Sequence, residues 1–267
     1  FNKSIIRTNL TINMDGIIDT NRYFSMNGNE VFRSTIVLSE ENFSIELLSN
    51  LSNTKITSSI NEINDKLNEN LETSIFVKDM SSPKYQVKNK YVNALIDRSG
   101  RGYFAFGNSF LEKINKINHK DGFYVYLDLD NLSLDNIFYD KSSEDNDLLK
   151  AINIKTKKFS LFNNKYSNIE FNVNFDDEIY INVSGLDLNG EIKIDRTNFI
   201  KINLINTNFN FDGIQLAQNN LASDLNNISL RLIGNNIKTK DNVIKDLDLY
   251  ILKNKNVLDT TKTDIGS

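Results

Sequence analysis

This chain of 267 residues is 39% hydrophobic and 25% charged, and its net charge of −4 argues against a dedicated nucleic-acid-binding protein, which would carry a basic patch. The chain has no Cys, which excludes a disulfide framework, a thiolate metal site and a cysteine nucleophile. It also lacks a run of 18 apolar residues, so we expect no membrane-spanning helix within it.

Residues 1–90 are predicted to form a strand-rich segment with a short helix. Period-2 alternation predicts strands over Ile5–Ile12, Val31–Leu38 and Phe43–Leu48. The helical spacing of Ile60, Ile63, Leu67 and Leu71 predicts a helix near residues 60–71. The chain neither begins with Met nor carries a signal peptide, so we expect both ends to be cut from a longer protein.

Residues 91–267 are predicted to form a repeated antiparallel strand ladder that is continuous with the first segment. Short one-sided strands separated by tight polar turns are typical of an antiparallel meander. The predicted strands are Phe123–Asp130, Ile169–Phe175, Ile179–Val183, Leu188–Ile194 and Ile200–Leu204. Further helical turns are predicted over Leu111–Ile117 and Leu134–Tyr139.

An internal repeat is visible without gaps. Residues 152–173 align with residues 230–251 at a constant offset, so that Ile152, Phe159 and Tyr166 match Leu230, Ile237 and Ile244. Any two alternating strands can align in this way, and the identity is low. The repeat is therefore a hypothesis that strand pairing can test.

The predicted fold is mainly β, with few short helices: an elongated, twisted antiparallel sheet curved into an apolar trough, a taco-like shape. A one-sided sheet must cover its apolar face or expose it, and large exposed apolar patches mark binding sites. Acyl chains could fill such a trough without any specific contact. The alternative is an ordinary closed core, in which the same side chains pack against a second layer.

Ten side chains are the candidates to line the trough and bind lipid: Ile169, Phe171, Val173, Ile179, Ile181, Val183, Ile192, Ile194, Ile202 and Leu204.

The sequence predicts no catalytic residue, no metal site and no cofactor. His119 is the single histidine and lies in a polar stretch. Asp128 and Asp130 would share a strand face, but the spacing is not that of a calcium loop. Residues 176–178 are adjacent carboxylates in a predicted turn, where neighbouring side chains point apart. Arg98 and Arg101 could meet a lipid headgroup, although such residues more often only solvate a strand end.

Several segments, in order along the chain, resemble the AsmA-like proteins of Gram-negative envelopes, and within them the YhdP branch. The resemblance is carried by Arg101–Gly107, Gly122–Asp130, Phe159–Val173, Ile181–Ile194 and Leu225–Ile251. Each segment consists mainly of alternating apolar and polar residues with glycines. The order of these segments along the chain is what resembles the family.

This resemblance implies a periplasmic, non-enzymatic segment that conducts lipids, in particular glycerophospholipids, between the inner and outer membranes. The implied partners are phospholipid acyl chains, neighbouring strands of the full-length protein and the two membranes at its distant ends, with an inner-membrane anchor helix elsewhere. A second interpretation is a β-sandwich or solenoid adhesion or scaffold module with a closed core.

Overall fold

The computed structural model of the chain describes residues 3–15, 24–39, 43–78, 82–111, 114, 121–133, 148–161, 164–176, 178–195, 199–205, 207–208, 229–238, 242–251 and 258–266. Within these residues the chain is mainly β, as predicted, with two short helices. It divides into two compact units, unit 1 over Phe1–Asp128 and unit 2 over Leu129–Ser267.

The strands named from unit 1 are β1 Ser4–Asn13, β2 Phe24–Leu38, β3 Phe43–Ser49, β4 Thr54–Ser58, β5 Thr73–Lys78, β6 Lys84–Lys88, β7 Val92–Asp97, β8 Gly102–Phe106 and β9 Phe123–Ser133. Helix α1 covers Asn61–Leu67 and α2 covers Asn108–Leu111. The remaining strands are β10 Leu149–Leu161, β11 Asn164–Phe175, β12 Ile179–Ser184, β13 Gly190–Ile194, β14 Phe199–Ile205, β15 Ser229–Lys238, β16 Val243–Ile251 and β17 Leu258–Gly266.

In unit 1, the strands pair largely in chain order, with one branch at β2. β2 is long enough to pair with β4 through Phe24–Gly28, and with β1 and β3 through its later residues. The ladder continues antiparallel from β3 to β5, β6, β7 and β8. β8 and β9 are parallel.

In unit 2, β10 to β14 form an antiparallel meander, β14 and β15 are parallel, and β15 to β17 are antiparallel again. The pairing is therefore mostly antiparallel, as predicted, with parallel pairs at β8–β9 and β14–β15. Parallel neighbours need a crossover connection of a dozen or more residues, and the connections over residues 107–122 and 206–228 meet that requirement.

Helix α1 is shorter than the predicted 60–71. Its buried Ile63 and Leu67 lie one turn apart on the face that packs inward, as the helical spacing predicts. The helix ends at Leu67, and Asn70 adopts a positive φ of 52°, which turns the chain into β5. Helix α2 precedes the predicted Leu111–Ile117, of which only Leu111 and Ile114 are described; Leu134–Tyr139 lies outside the described residues.

The internal repeat is confirmed by strand register. In the β10–β11 hairpin, Ile152 pairs with Val173 and Phe159 with Tyr166. The equivalent residues in the β15–β16 hairpin, Leu230 with Ile251 and Ile237 with Ile244, pair in the same way. Both hairpins thus carry the same cross-strand pairs at the offset seen in the sequence.

Candidate functional site

The candidate residues of unit 2 form rows that run across neighbouring strands. In the middle row, Val173, Ile181, Ile192 and Ile202 are successive register partners on β11 to β14. Register partners share one face of a sheet, so these side chains lie side by side. The row continues to Ile152 on β10, and Leu232 on β15 is the register partner of Ile202.

Two further rows flank the middle row on the same face. The inner row contains Phe171, Val183, Gly190 and Leu204, and the outer row contains Phe175, Ile179, Ile194 and Ile200. We call these three rows together the unit 2 apolar face. Nine of the ten predicted residues belong to it, and the tenth, Ile169, follows Phe171 at the inner end.

Burial changes in one direction across this face. At the inner end, Ile169 is fully buried and Phe171, Val183 and Leu204 are at most 9% exposed. Every described side chain of the middle row on β11 to β14 is only partly buried, as are those of the outer row. The face is therefore closed at its inner end and partly exposed in its middle and outer rows.

The closed end is built by two loops that are tied together by hydrogen bonds. Thr207 donates its hydroxyl to the Asn189 carbonyl at 3.1 Å, and the Ile205 amide donates to that carbonyl at 2.9 Å. The Asn208 amide donates to the Asp187 carbonyl at 2.9 Å. These bonds hold together the two loops beside Leu188, which is buried.

Gly190 is needed where the inner row crosses β13. Its φ is +156°, and a Cβ there would collide with the carbonyl oxygen of Asn203 on β14. Gly190 therefore contributes no side chain to the inner row between Val183 and Leu204. This explains the glycine at position 190, which lies inside the predicted strand Leu188–Ile194 and begins β13.

The opposite face of unit 2 is polar and contains ion pairs. Lys155 lies 2.6 Å from Glu170, Lys193 lies 2.5 Å from Glu178, and Arg231 lies 2.7 Å from Asp248. The hydrogen bond from Lys193 lowers the pKa of Glu178, and that from Arg231 lowers the pKa of Asp248. Water therefore faces this side, and the apolar face is the other one.

Unit 1 carries a similar graded face that the sequence reasoning did not identify. One row of register partners contains Leu47, Ile75, Val87, Ala94, Phe104 and Val125. A more exposed row contains Ile36, Ile45, Val77, Tyr85, Ile96 and Phe123, and a buried row contains Val92, Phe106 and Leu127. Alternation in β5, β6 and β8 was the available signal, but each strand has only five or six residues.

On the opposite side of unit 1, the β8–β9 crossover covers the sheet. Buried Ile114 packs with Tyr103, Ala105 and Tyr126, and the Phe110 ring centroid lies 5.4 Å from that of Tyr126. A parallel pair of strands is thus covered here by its own connection.

The polar candidates that the structure describes lie in separate hydrogen bonds and ion pairs. Asp128 accepts a hydrogen bond from the Ser109 amide at the start of α2, and Asp130 pairs with Lys157 at 2.7 Å. Arg101 binds Asp97 within its own turn. His119 and Asp177 lie outside the described residues. No cluster of three potential metal ligands occurs in the part of the chain that the structure describes.

Glu30 in unit 1 is a buried carboxylate that accepts hydrogen bonds from neighbouring residues. Burial alone would raise its pKa, but hydrogen bonds from Ser49, Asn53 and Thr54 outweigh that effect and lower the pKa. Its oxygens accept from the Ser49 hydroxyl at 2.6 Å and the Asn53 amide at 2.9 Å. The carboxylate therefore ties β2 to the β3–β4 connection.

Comparison with known proteins identifies no relative. No protein-family model, no curated protein and no solved structure matches the chain. Within the described residues, no helix has the length and apolar character needed to cross a membrane. The resemblance to AsmA-like proteins therefore stays a prediction from the sequence.

Proposed function

We propose that the unit 2 apolar face binds phospholipid acyl chains, and that the chain is a lipid-conducting segment of a larger envelope protein. The single observation that carries this proposal is the graded face, in which uncharged side chains from successive strands stay partly exposed beyond a closed inner end. The wider setting, a periplasmic segment of an AsmA-like protein, rests on the resemblance alone.

The physical case for acyl chains begins with dimensions. Five neighbouring strands, β10 to β14, at about 4.8 Å spacing carry a row roughly 20 Å long, which is comparable to the length of a phospholipid acyl chain. Each methylene group removed from water contributes about 0.8 kcal/mol, so a two-chain lipid gains affinity from apolar contact alone. Movement along the face needs many similar weak contacts, and rows of Ile, Val and Leu supply them.

A closed β module with an adhesion or scaffold role is the second candidate. The observation in its favour is the buried inner end, where Ile169, Phe171 and Val183 pack like an ordinary core. In that case, polypeptide would cover the outer rows as well, and no lipid would reach them. The two candidates therefore differ in what contacts the middle and outer rows.

The test places the same charge on each face of one strand. Ile181→Asp puts a carboxylate in the middle row, while Asn182→Asp puts one on the exposed opposite face. Phospholipid extracted from the purified chain is quantified by mass spectrometry, and circular dichroism checks that each variant is folded. We expect bound phospholipid in the unmodified chain and in Asn182→Asp, and its loss in folded Ile181→Asp.

Ile194→Asp in the outer row gives a second position if Ile181→Asp fails to fold. A lipid-free chain that takes up no fluorescent phospholipid from vesicles would refute the proposal and favour the closed module. Equal lipid content in folded Ile181→Asp and Asn182→Asp would refute the assignment of the lipid to this face.

A further inference from the structure

β1 is unusual because its side chains are exposed on both faces of the sheet. Of its ten residues, all but Ile12 are exposed, including Ile5 and Ile6 at 48% and Leu10 at 37%. Within the described residues of unit 1, β2 is the only strand that pairs with it, along its whole length. Long edges that carry apolar side chains are templates for pairing with another strand.

Hydrogen bonding identifies the residues whose backbone groups point away from β2. The Met14 amide donates to the Gly28 carbonyl at 2.8 Å, in line with the β1–β2 register. Hydrogen-bonded and non-hydrogen-bonded pairs alternate in an antiparallel ladder. Even-numbered residues of β1 therefore bond to β2, and the amides and carbonyls of Ile5, Arg7, Asn9 and Thr11 point toward the outer edge.

We propose that two copies of this chain pair through β1, antiparallel and about a two-fold axis at Thr8. In this register, Ile5 and Thr11 of the two copies form hydrogen-bonded pairs, as do Arg7 and Asn9. Ile6 of each copy then lies opposite Leu10 of the other, on the face that carries Ile36 and Phe32 of β2. The contact is isologous and closed, because each copy supplies the same strand.

Charge and apolar pattern favour this register over one centred on Arg7. The outward-pointing backbone groups occur at every second residue. They therefore meet the outward-pointing groups of the other copy only when the two-fold axis passes through a residue, and not when it passes between two residues. Centring the axis on Arg7 would place two arginines opposite each other, which is destabilising. Centring it on Thr8 places Arg7 opposite a neutral side chain and covers Ile6 and Leu10, two of the most exposed apolar side chains of the strand.

The first experiment measures mass and cross-linking of the full chain. Light scattering across a concentration series should show a monomer that converts to a dimer. Thr8→Cys should then form an intermolecular disulfide on mild oxidation, because directly opposed non-hydrogen-bonded residues lie about 4.5 Å apart between Cα atoms. Thr11→Cys is the matched control, since its opposite residue is Ile5 and the two cysteines would be far apart. The natural chain has no Cys, so no other disulfide can form.

The second experiment tests the register by charge. Ile6→Glu alone and Leu10→Lys alone should each weaken the dimer by about tenfold, because symmetry counts each change twice. Mixing the two variants should restore dimerisation, since the introduced carboxylate and ammonium then face each other. A chain that stays monomeric throughout the series overturns the proposal. So does Thr8→Cys cross-linking no faster than Thr11→Cys, or a mixture no tighter than its components.

Discussion

Truncating isoleucine at three positions of the unit 2 apolar face tests whether the face is closed at one end and open at the other. Ile169→Ala, Ile181→Ala and Ile194→Ala remove the same atoms from the same residue type. Ile169 is fully buried at the inner end, whereas Ile181 and Ile194 are partly exposed in the middle and outer rows. The environment is thus the main difference among the three changes.

The expected losses follow from the area that each side chain hides from water. Removing three carbons costs about 2.4 kcal/mol in transfer free energy when the side chain is fully buried. A cavity left in a packed site adds to this, so Ile169→Ala should lower the free energy of unfolding by about 2–5 kcal/mol. A partly exposed isoleucine loses less and leaves no enclosed cavity, so each of the other changes should cost about 1 kcal/mol.

Urea unfolding followed by far-ultraviolet circular dichroism measures these differences in lipid-free protein. Tyrosine fluorescence gives an independent probe, because the chain has 10 Tyr and no Trp. The dependence of unfolding free energy on urea should stay the same in all variants, which checks that they unfold from the same state. Losses of similar size at all three positions would refute the graded face and show that the outer rows are packed as tightly as the inner end.

Two further predictions concern tyrosine hydroxyls and an acidic turn. Tyr166→Phe should leave the free energy of unfolding unchanged or raise it by up to about 1 kcal/mol, because the Tyr166 hydroxyl is buried with no hydrogen-bond partner among the described residues. Tyr103→Phe is the control. It removes the hydrogen bond to Asn93 and should lower the free energy of unfolding by about 1 kcal/mol. Hydrogen bonds from Ser99 and Arg101 hold the pKa of Asp97 at about 2, so Asp97→Asn should reduce the loss of stability on acidification.

The sign and the pH window of the Asp97 effect follow from its two pKa values. The folded-state pKa of about 2 lies below the ordinary value of 3.8, so ionised Asp97 stabilises the fold above about pH 4. That contribution is lost as the pH falls from about 4 to about 2. Acid titration of stability measures it, with Asp65→Asn on the exposed side of α1 as control. Identical acid profiles for Asp97→Asn and the unmodified chain would contradict the prediction, as would a destabilised Tyr166→Phe.

Strand positions were predictable because each short strand has one apolar side. Period-2 alternation placed β11, β12 and β14 correctly, and the two segments aligned by the repeat form the hairpins β10–β11 and β15–β16. Such patterns specify which side chains share a face, since adjacent side chains of a strand point to opposite sides. The middle and outer rows of unit 2 follow directly from that rule.

The two parallel pairs and the graded burial were not predictable by alternation. A strand reads the same whether its neighbour is parallel or antiparallel, so β8–β9 and β14–β15 gave no separate signal. Burial along a row depends on loops that fold over one end, such as the contact of Thr207 with Asn189. Those contacts join residues distant in sequence and have no local pattern.

In each of the two repeated hairpins of unit 2, one asparagine in the left-handed backbone conformation contributes to the closed inner end. Asn168 on β11 has a positive φ of 54°, Asn236 on β15 has one of 55°, and the ladder skips one pair at each of these positions. Buried positions change there from every second to every third residue, so Tyr166 and Ile169 are both buried. Asn tolerates this conformation better than most residues, because its short polar side chain can bond locally.

The two kinks explain why alternation stops short of the hairpin ends while the apolar face continues. Without the kink, Tyr166 would point to the polar side, since it is three residues from Ile169. With it, the ring contacts Phe159 at 6.0 Å between centroids, and Phe159 in turn meets Phe171 of the inner row at 4.8 Å. The aromatic residues thereby seal one end of a face whose other rows remain partly exposed, and that asymmetry would orient a bound acyl chain.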